Sequence, residues 1–254
     1  MTWSENLILA VVEGLTEYLP VSSTGHLMIF QNILKLSEKS TSVYLISIQF
    51  GAILAVLALY WRKFLTPNWI QFYSKLIVAF IPAAVLGLLL DDFLEALLQT
   101  PVVVAVMLIL VGIFLLRMDK ILPEGEKSIE DLNYKEAFFI GLIQTIAMIP
   151  GTSRSAASIA GGLGFKLSRK AATEFSFFLA VPTLSAAAGY SVLKNWDELS
   201  SGNLADIAIG NILSFITALL AIKFFISIIQ KKGFTFFGYY RIVAGILFLL
   251  YLYI

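Results

Sequence analysis

The chain has no cysteine, a single histidine and few charges. Without cysteine there is no disulfide, no thiolate catalysis and no cysteine-ligated metal, and the compartment is left open. Asp, Glu, Lys and Arg supply only 14% of 254 residues, against about 25% in ordinary soluble domains. So few charges cannot cover a soluble surface of this size. A formal net charge of +1 gives no basic excess to attract nucleic acid. The N-terminal M-T-W-S-E-N has no basic region and no cleavage site, so it is expected to be mature sequence rather than a signal peptide. What is present in abundance is apolar: 59% of residues are hydrophobic and the mean hydropathy is +0.86. An integral membrane protein is the class these numbers leave.

A helical span needs about 20 mostly apolar residues. Six segments qualify, at roughly 43–61, 74–90, 101–117, 171–190, 205–229 and 240–254. Two further apolar stretches, 5–34 and 136–165, are broken near their middles by P-V-S-S-T-G-H and P-G-T-S-R-S. A break at membrane depth leaves backbone groups unpaired, which is tolerable only inside protein or beside a wet cavity. Both are read as re-entrant helix–loop–helix hairpins. The pattern P-x-[ST]-S-[TR] occurs at Pro20 and again at Pro150, an offset of 130. Each half then holds one hairpin and three spans, so the second half enters the membrane from the opposite side. The expected fold is all-α: one membrane domain over 1–254, with repeat 1 at about 1–120, a mixed-charge linker at about 118–135 and repeat 2 at about 136–254. This is an inverted-topology repeat with the two broken hairpins meeting near the midplane.

Charge placement bears on orientation. With the N-terminus outside, the inside segments hold Arg62, Lys63, Lys75, Arg117, Lys120, Lys127, Lys135, Lys166, Arg169, Lys170, Lys231, Lys232 and Arg241, and the outside ones only Lys35, Lys39 and Lys194. That asymmetry satisfies the positive-inside rule. The acidic turns at 91–95 and 196–198 then lie outside.

The polar residues of the two breaks carry the chemistry. Glu13 and Glu17 are one helical turn apart and share a face. They are either wetted at the hairpin's outer end or face a cavity as a divalent-cation site or general base, and carboxylate oxygens suit Mg²⁺ or Ca²⁺. Ser22, Ser23 and Thr24 follow the breaking proline, where hydroxyls cap a helix. The same helix start can bind an anion through free N–H groups and the dipole, and a serine beside a base can act as nucleophile. His26, the sole histidine, lies two residues beyond the hydroxyls and is either a candidate nucleophile, base or acid or a satisfied structural residue. Arg154, in the second break between Ser153 and Ser155 and close to Thr152, is the natural fork for phosphate, or else half of a structural ion pair with Glu13, Glu17 or Glu174. Gln49 and Glu174 open corresponding spans, where a structural role weighs as much as a catalytic one. Together these residues describe an intramembrane anion site suited to positioning and neutralising a phosphoryl group.

At these residues the sequence resembles the bacterial undecaprenyl-diphosphate phosphatases, the BacA/UppP family. The resemblance lies in E-G-L-T-E-Y-L-P-V-S-S-T-G-H (13–26) and P-G-T-S-R-S-A-A-S (150–158), extended by Q-F-G-A-I-L-A-V (49–56), Y-W-R (60–62) and T-E-F-S-F-F-L-A-V-P (173–182). It implies hydrolysis of a C55 isoprenoid diphosphate to the monophosphate carrier and phosphate, recycling the carrier for cell-wall synthesis and conferring bacitracin resistance. It also implies a divalent cation and a bacterial cytoplasmic membrane location with the site open to the outer face. Carried over by motif, the family's acidic pair matches Glu13 and Glu17, its hydroxyl cluster Ser22, Ser23 and Thr24, its histidine His26 and its arginine Arg154. Ala156 departs from the family pattern, which has glycine there, and removes no catalytic atom. Type 2 phosphatidic acid phosphatases, whose P-S-G-H element is similar, need a second histidine and are excluded.

The expected substrate is thus a polyprenyl diphosphate lipid held in the membrane by Arg154, Thr152, Ser153, Ser155, Ser22 and Thr24. Attack comes from Ser23 by preference, with His26 or an activated water as alternatives, and Glu13 and Glu17 hold a metal or act as base. A homodimer is compatible with this reading and nucleic acid is not a partner. The rival expectation is a secondary transporter or polyprenyl-phosphate flippase, since broken helices in inverted repeats also serve transport.

Overall fold

A computed structural model describes residues 1–65, 68–194 and 204–254. They form helices α1 (Trp3–Thr16), α2 (Ser23–Ile33), α3 (Glu38–Leu59), the short α4 (Trp61–Phe64), α5 (Trp69–Leu89), α6 (Asp91–Leu98) and α7 (Pro101–Ile121). After the linker come α8 (Tyr134–Gln144), α9 (Arg154–Gly164), α10 (Arg169–Lys194), α11 (Leu204–Lys232) and α12 (Thr235–Tyr253). No strand occurs among the described residues beyond one isolated bridge, Lys127 to Leu167. The acidic turn at 196–198 lies outside the described residues.

Among the described residues, five helices are long and apolar enough to cross a membrane: α5, α7, α10, α11 and α12. The expected span at 43–61 falls on α3, which among the described residues holds the apolar stretch Tyr44–Leu59. At 1.5 Å per residue, α2 and α9, of 11 residues each, reach only about 16 Å. That is about half of the ≈ 30 Å hydrocarbon core, so neither crosses it alone.

The breaks are set by local chemistry. Thr2 caps α1 and Asn133 caps α8, each in a reciprocal capping box with Glu5 and Glu136. Ser22 caps α2 through Gly25 N–H and Ser153 caps α9 through Ala156 N–H. Both serines sit at positive φ, 73° and 82°, where a side chain is strained. Thr2 to Asn133 and Ser22 to Ser153 are each separations of 131, one more than the 130 between Pro20 and Pro150. This corrects the proline-based alignment. The caps pair Ser23 with Arg154, Glu17 with Met148 and His26 with Ala157.

Packing follows a regular scheme. Helix α1 lies on α11 as α8 lies on α5, α3 lies on α11 as α10 lies on α5, and α3–α10 and α7–α12 pair directly. Small residues allow the first two crossings: a Cβ at Gly14 would stand 2.0 Å from Thr217 Oγ1, and one at Gly141 1.8 Å from Ala79 O. The buried aromatic cluster of Tyr18, Phe177, Phe178, Phe225 and Phe237 fills the interior behind the breaks, with Tyr18 edge-on to Phe177 at 5.3 Å. The linker is tied down. Lys127 exchanges backbone hydrogen bonds with Lys166 and Ser168, Lys75 donates to Glu130 O at 2.8 Å, and Arg169 pairs with Asp119 at 3.0 Å.

Candidate active site

The helices α2 and α9 start against one another, and their first residues are Ser23 and Arg154. Glu17, just past the end of α1, lies between them. Ser23 Oγ donates to Glu17 Oε2 at 2.5 Å, and Arg154 Nη2 donates to Glu17 Oε1 at 3.0 Å. The ion pair joins the two halves of the chain and is nearly buried, at 11% and 5% side-chain exposure. Arg154 is steadied by Ser176, whose carbonyl and hydroxyl accept from Nη1 at 2.8 and 3.3 Å. Its plane also approaches the Tyr18 ring at 5.6 Å. The Arg154 Nε–H is buried without a partner, leaving one donor for an anion.

These groups line a cavity of ≈ 170 Å³, bounded by Glu17, Ser22, Ser23, Thr24 and Gln49 on one side and by Ala147, Pro150, Gly151, Ser153, Arg154 and Leu184 on the other. The space suits a phosphoryl group. Two helix N-termini converge on this space, and their N–H groups and dipoles favour an anion there. Thr24, exposed at the rim, marks its opening.

The remaining expected residues divide. Ser155 is fully buried and donates to Leu19 O at 2.8 Å, tying one break to the other. Thr152 is buried with its hydroxyl unpartnered, and it does not line the cavity. Glu174 stands apart, 3.9 Å from Lys170. His26 is not in the cavity wall. Its Nδ1 lies 2.8 Å from Ser22 O and its Nε2 2.7 Å from Tyr240 Oη.

Glu13 is fully buried one turn behind Glu17, and neither of its oxygens has a partner. Among the described residues no group of three or more His, Cys, Asp or Glu side chains comes together. An all-protein metal cage is therefore absent from them. The orphaned carboxylate oxygens of Glu13, which does not line the cavity, with Glu17 one turn away, are hard oxygen donors of the kind a divalent cation takes.

Two functional residues escape the sequence reading. Ser176 sits in F-S-F-F, where nothing in the spacing signals a contact with Arg154. Arg241, counted above among the inside charges, is instead fully buried within α12. It donates to Pro20 O at 2.9 Å, to Gly151 O, and to Met107 O and Leu108 O at 3.3 and 3.4 Å, clasping the backbones of both breaks. A guanidinium in the middle of an apolar run was the available signal, since an intramembrane charge needs a partner.

A multi-pass, all-helical membrane protein with a polar cavity between two broken helix pairs is the class defined so far. The family model for "Bacitracin resistance protein BacA" matches residues 6–247, and the chain belongs to that family. It is 51% identical to an undecaprenyl-diphosphatase of Flavobacterium johnsoniae, over 98% of this chain and 96% of that protein. It is 46% identical to one of Bdellovibrio bacteriovorus over 100% and 97%, and 41% identical to one of Enterococcus faecalis over 96% and 95%. These similarities favour a hydrolase over the transporter or flippase expectation.

Proposed function

We propose that this protein hydrolyses undecaprenyl diphosphate to undecaprenyl phosphate and inorganic phosphate in the bacterial cytoplasmic membrane. In doing so it regenerates carrier lipid for wall synthesis and lowers the target available to bacitracin. The single observation that carries the reading is the Ser23–Glu17–Arg154 chain on the wall of a phosphate-sized cavity. The terminal phosphoryl group enters between the starts of α2 and α9, held by their N–H groups, by Thr24 and by the spare donor of Arg154. Glu17 takes the Ser23 proton as Oγ bonds to the terminal phosphorus. The bridging P–O bond breaks, and Glu17 returns the proton to the departing undecaprenyl phosphate. Water then cleaves the phosphoserine, its proton passing through Glu17 to Ser23 Oγ as phosphate leaves. A divalent cation, Mg²⁺ or Ca²⁺, held by Glu13 and Glu17, supplies charge neutralisation to the phosphates when bound. Removing a general base of this kind lowers turnover by about 10²–10⁴-fold.

The two halves form an inverted-topology repeat with six spans and two re-entrant hairpins, and the site opens to the outer face. Support comes from the paired caps at a separation of 131, from the exchange of packing partners between halves and from the excess of Lys and Arg on the inside segments. The isoprenoid tail leaves sideways past Ala147 and Leu184, the apolar wall of the cavity.

The test is phosphate release from a C55 diphosphate by the purified protein in detergent, with and without added cation. Release by wild type, lost in Glu17→Ala and Arg154→Ala, is expected. No release under any cation overturns the hydrolase reading, and full turnover by both variants overturns the site.

A further inference from the structure

The histidine of the first break does not line the cavity, and its two nitrogens are both engaged. Nδ1 is 2.8 Å from Ser22 O, a carbonyl that can only accept, so the proton is on Nδ1. In the neutral ring Nε2 is then an acceptor, and the group 2.7 Å from it is the Tyr240 hydroxyl, which donates. The rings lie parallel, 4° apart, with centroids at 5.5 Å. His26 is 6% exposed, and Tyr240, on α12, is 43% exposed. Tyr240 immediately precedes Arg241, so consecutive residues of α12 serve the same loop.

The consequence reaches the reacting group through the backbone. Ser22 is the strained cap of α2, and its carbonyl also accepts the His26 backbone N–H at 3.1 Å. Both lone pairs of that carbonyl are used by one residue, which fixes the peptide leading into Ser23. A ring with its Nδ1 proton on Ser22 and its Nε2 lone pair on Tyr240 has no free nitrogen to attack phosphorus.

We propose that Tyr240 is a positioning residue that fixes the Nδ1–H tautomer of His26, and that His26 in turn holds Ser22 and orients Ser23 rather than acting as nucleophile. The proposal rests on the hydrolase reading for its kinetic part and on geometry alone for its tautomer part.

Because His26 is the only histidine, every imidazole signal of ¹⁵N-histidine-labelled full-length protein in detergent belongs to it. The expected wild-type spectrum is a neutral Nδ1–H ring with a hydrogen-bonded Nε2, and Tyr240→Phe shifts the Nε2 resonance towards that of a free acceptor. In the phosphate-release assay Tyr240→Phe lowers kcat by about three- to tenfold, the worth of one neutral hydrogen bond, with KM within about twofold. His26→Gln, whose amide can still donate to Ser22 O, retains more turnover than His26→Ala. An Nε2-protonated ring, an Nε2 signal untouched by Tyr240→Phe, or an unchanged kcat in that variant overturns the proposal. So does equal, complete loss in His26→Gln and His26→Ala, the mark of a nucleophile. Absence of phosphate release by wild type refutes the hydrolase reading instead, and the spectrum still decides the tautomer.

Discussion

Replacing Arg241 by methionine is the perturbation whose size follows most directly from the geometry. The side chain fits within an apolar helix, so the change removes the guanidinium with little loss of bulk. Of the four carbonyls it serves, those of Met107 and Leu108 lie inside α7 and already take part in the helix ladder. Pro20 O and Gly151 O lie in the breaks and receive no other hydrogen bond among the described residues. Two buried carbonyls left unsatisfied cost about 1–3 kcal/mol each, so Arg241→Met loses about 2–6 kcal/mol. Removing a buried charge offsets part of this. For a chain of this size the loss corresponds to a fall in midpoint of roughly 5–20 °C. Arg241→Lys, a point charge with no fork, recovers only part of the loss. Because Pro20 and Gly151 flank the caps of α2 and α9, kcat falls as well, by about 10–10²-fold for a displacement near 1 Å. Thermal unfolding in detergent and phosphate release measure the two effects. An Arg241→Met protein that unfolds within about 2 °C of wild type and keeps its kcat would refute the reasoning.

Two other outcomes are expected. Chelation with EDTA abolishes phosphate release and either Mg²⁺ or Ca²⁺ restores it, whereas full activity after chelation would remove Glu13 and Glu17 from a metal role. In the linker, Ser128 N–H and Oγ both donate to Asp131 at 2.8 Å, and the backbone bond first of all holds that carboxyl below its ordinary value. A depressed carboxylate stabilises the turn fully above its unfolded pKa of about 3.9 and loses the contribution as pH falls through the lower folded value. Protection of residues 127–133 against hydrogen exchange, taken relative to the intrinsic rate, should therefore fall below about pH 4 and stay flat between about pH 5 and 8. Acceleration on raising the pH across neutrality beyond the intrinsic rate would contradict this.

Much of the site was legible because polar residues in apolar helices are conspicuous. Glu17, Ser23 and Arg154 stand out by that criterion alone, and they meet in the structure. The register was misread because prolines catch the eye, whereas the caps follow backbone conformation. The second break inserts Gly151 at φ 89° before its capping serine, which displaces Pro150 by one place. Arg241 was miscounted because orientation rules treat a cation near a span as a loop charge, and only packing shows it folded inward onto two loops. Tyr240 carried no signal at all, since an aromatic residue in an apolar helix is ordinary until its hydroxyl is seen to reach His26. The span at 43–61 was read from hydropathy, yet the helix begins at Glu38 within polar sequence, so the apolar length and the helix length differ.

The central claim is that Ser23, with its proton on Glu17, attacks the terminal phosphorus. Rapid quench into denaturing detergent at neutral pH, where both phosphoserine and phosphohistidine survive, of the enzyme turning over a C55 diphosphate ³²P-labelled in its terminal phosphate, followed by peptide mass analysis, tests it most directly. The account predicts transient label on Ser23 and none after Ser23→Ala, whose turnover falls to background. Label on His26, or undiminished turnover by Ser23→Ala, would contradict it.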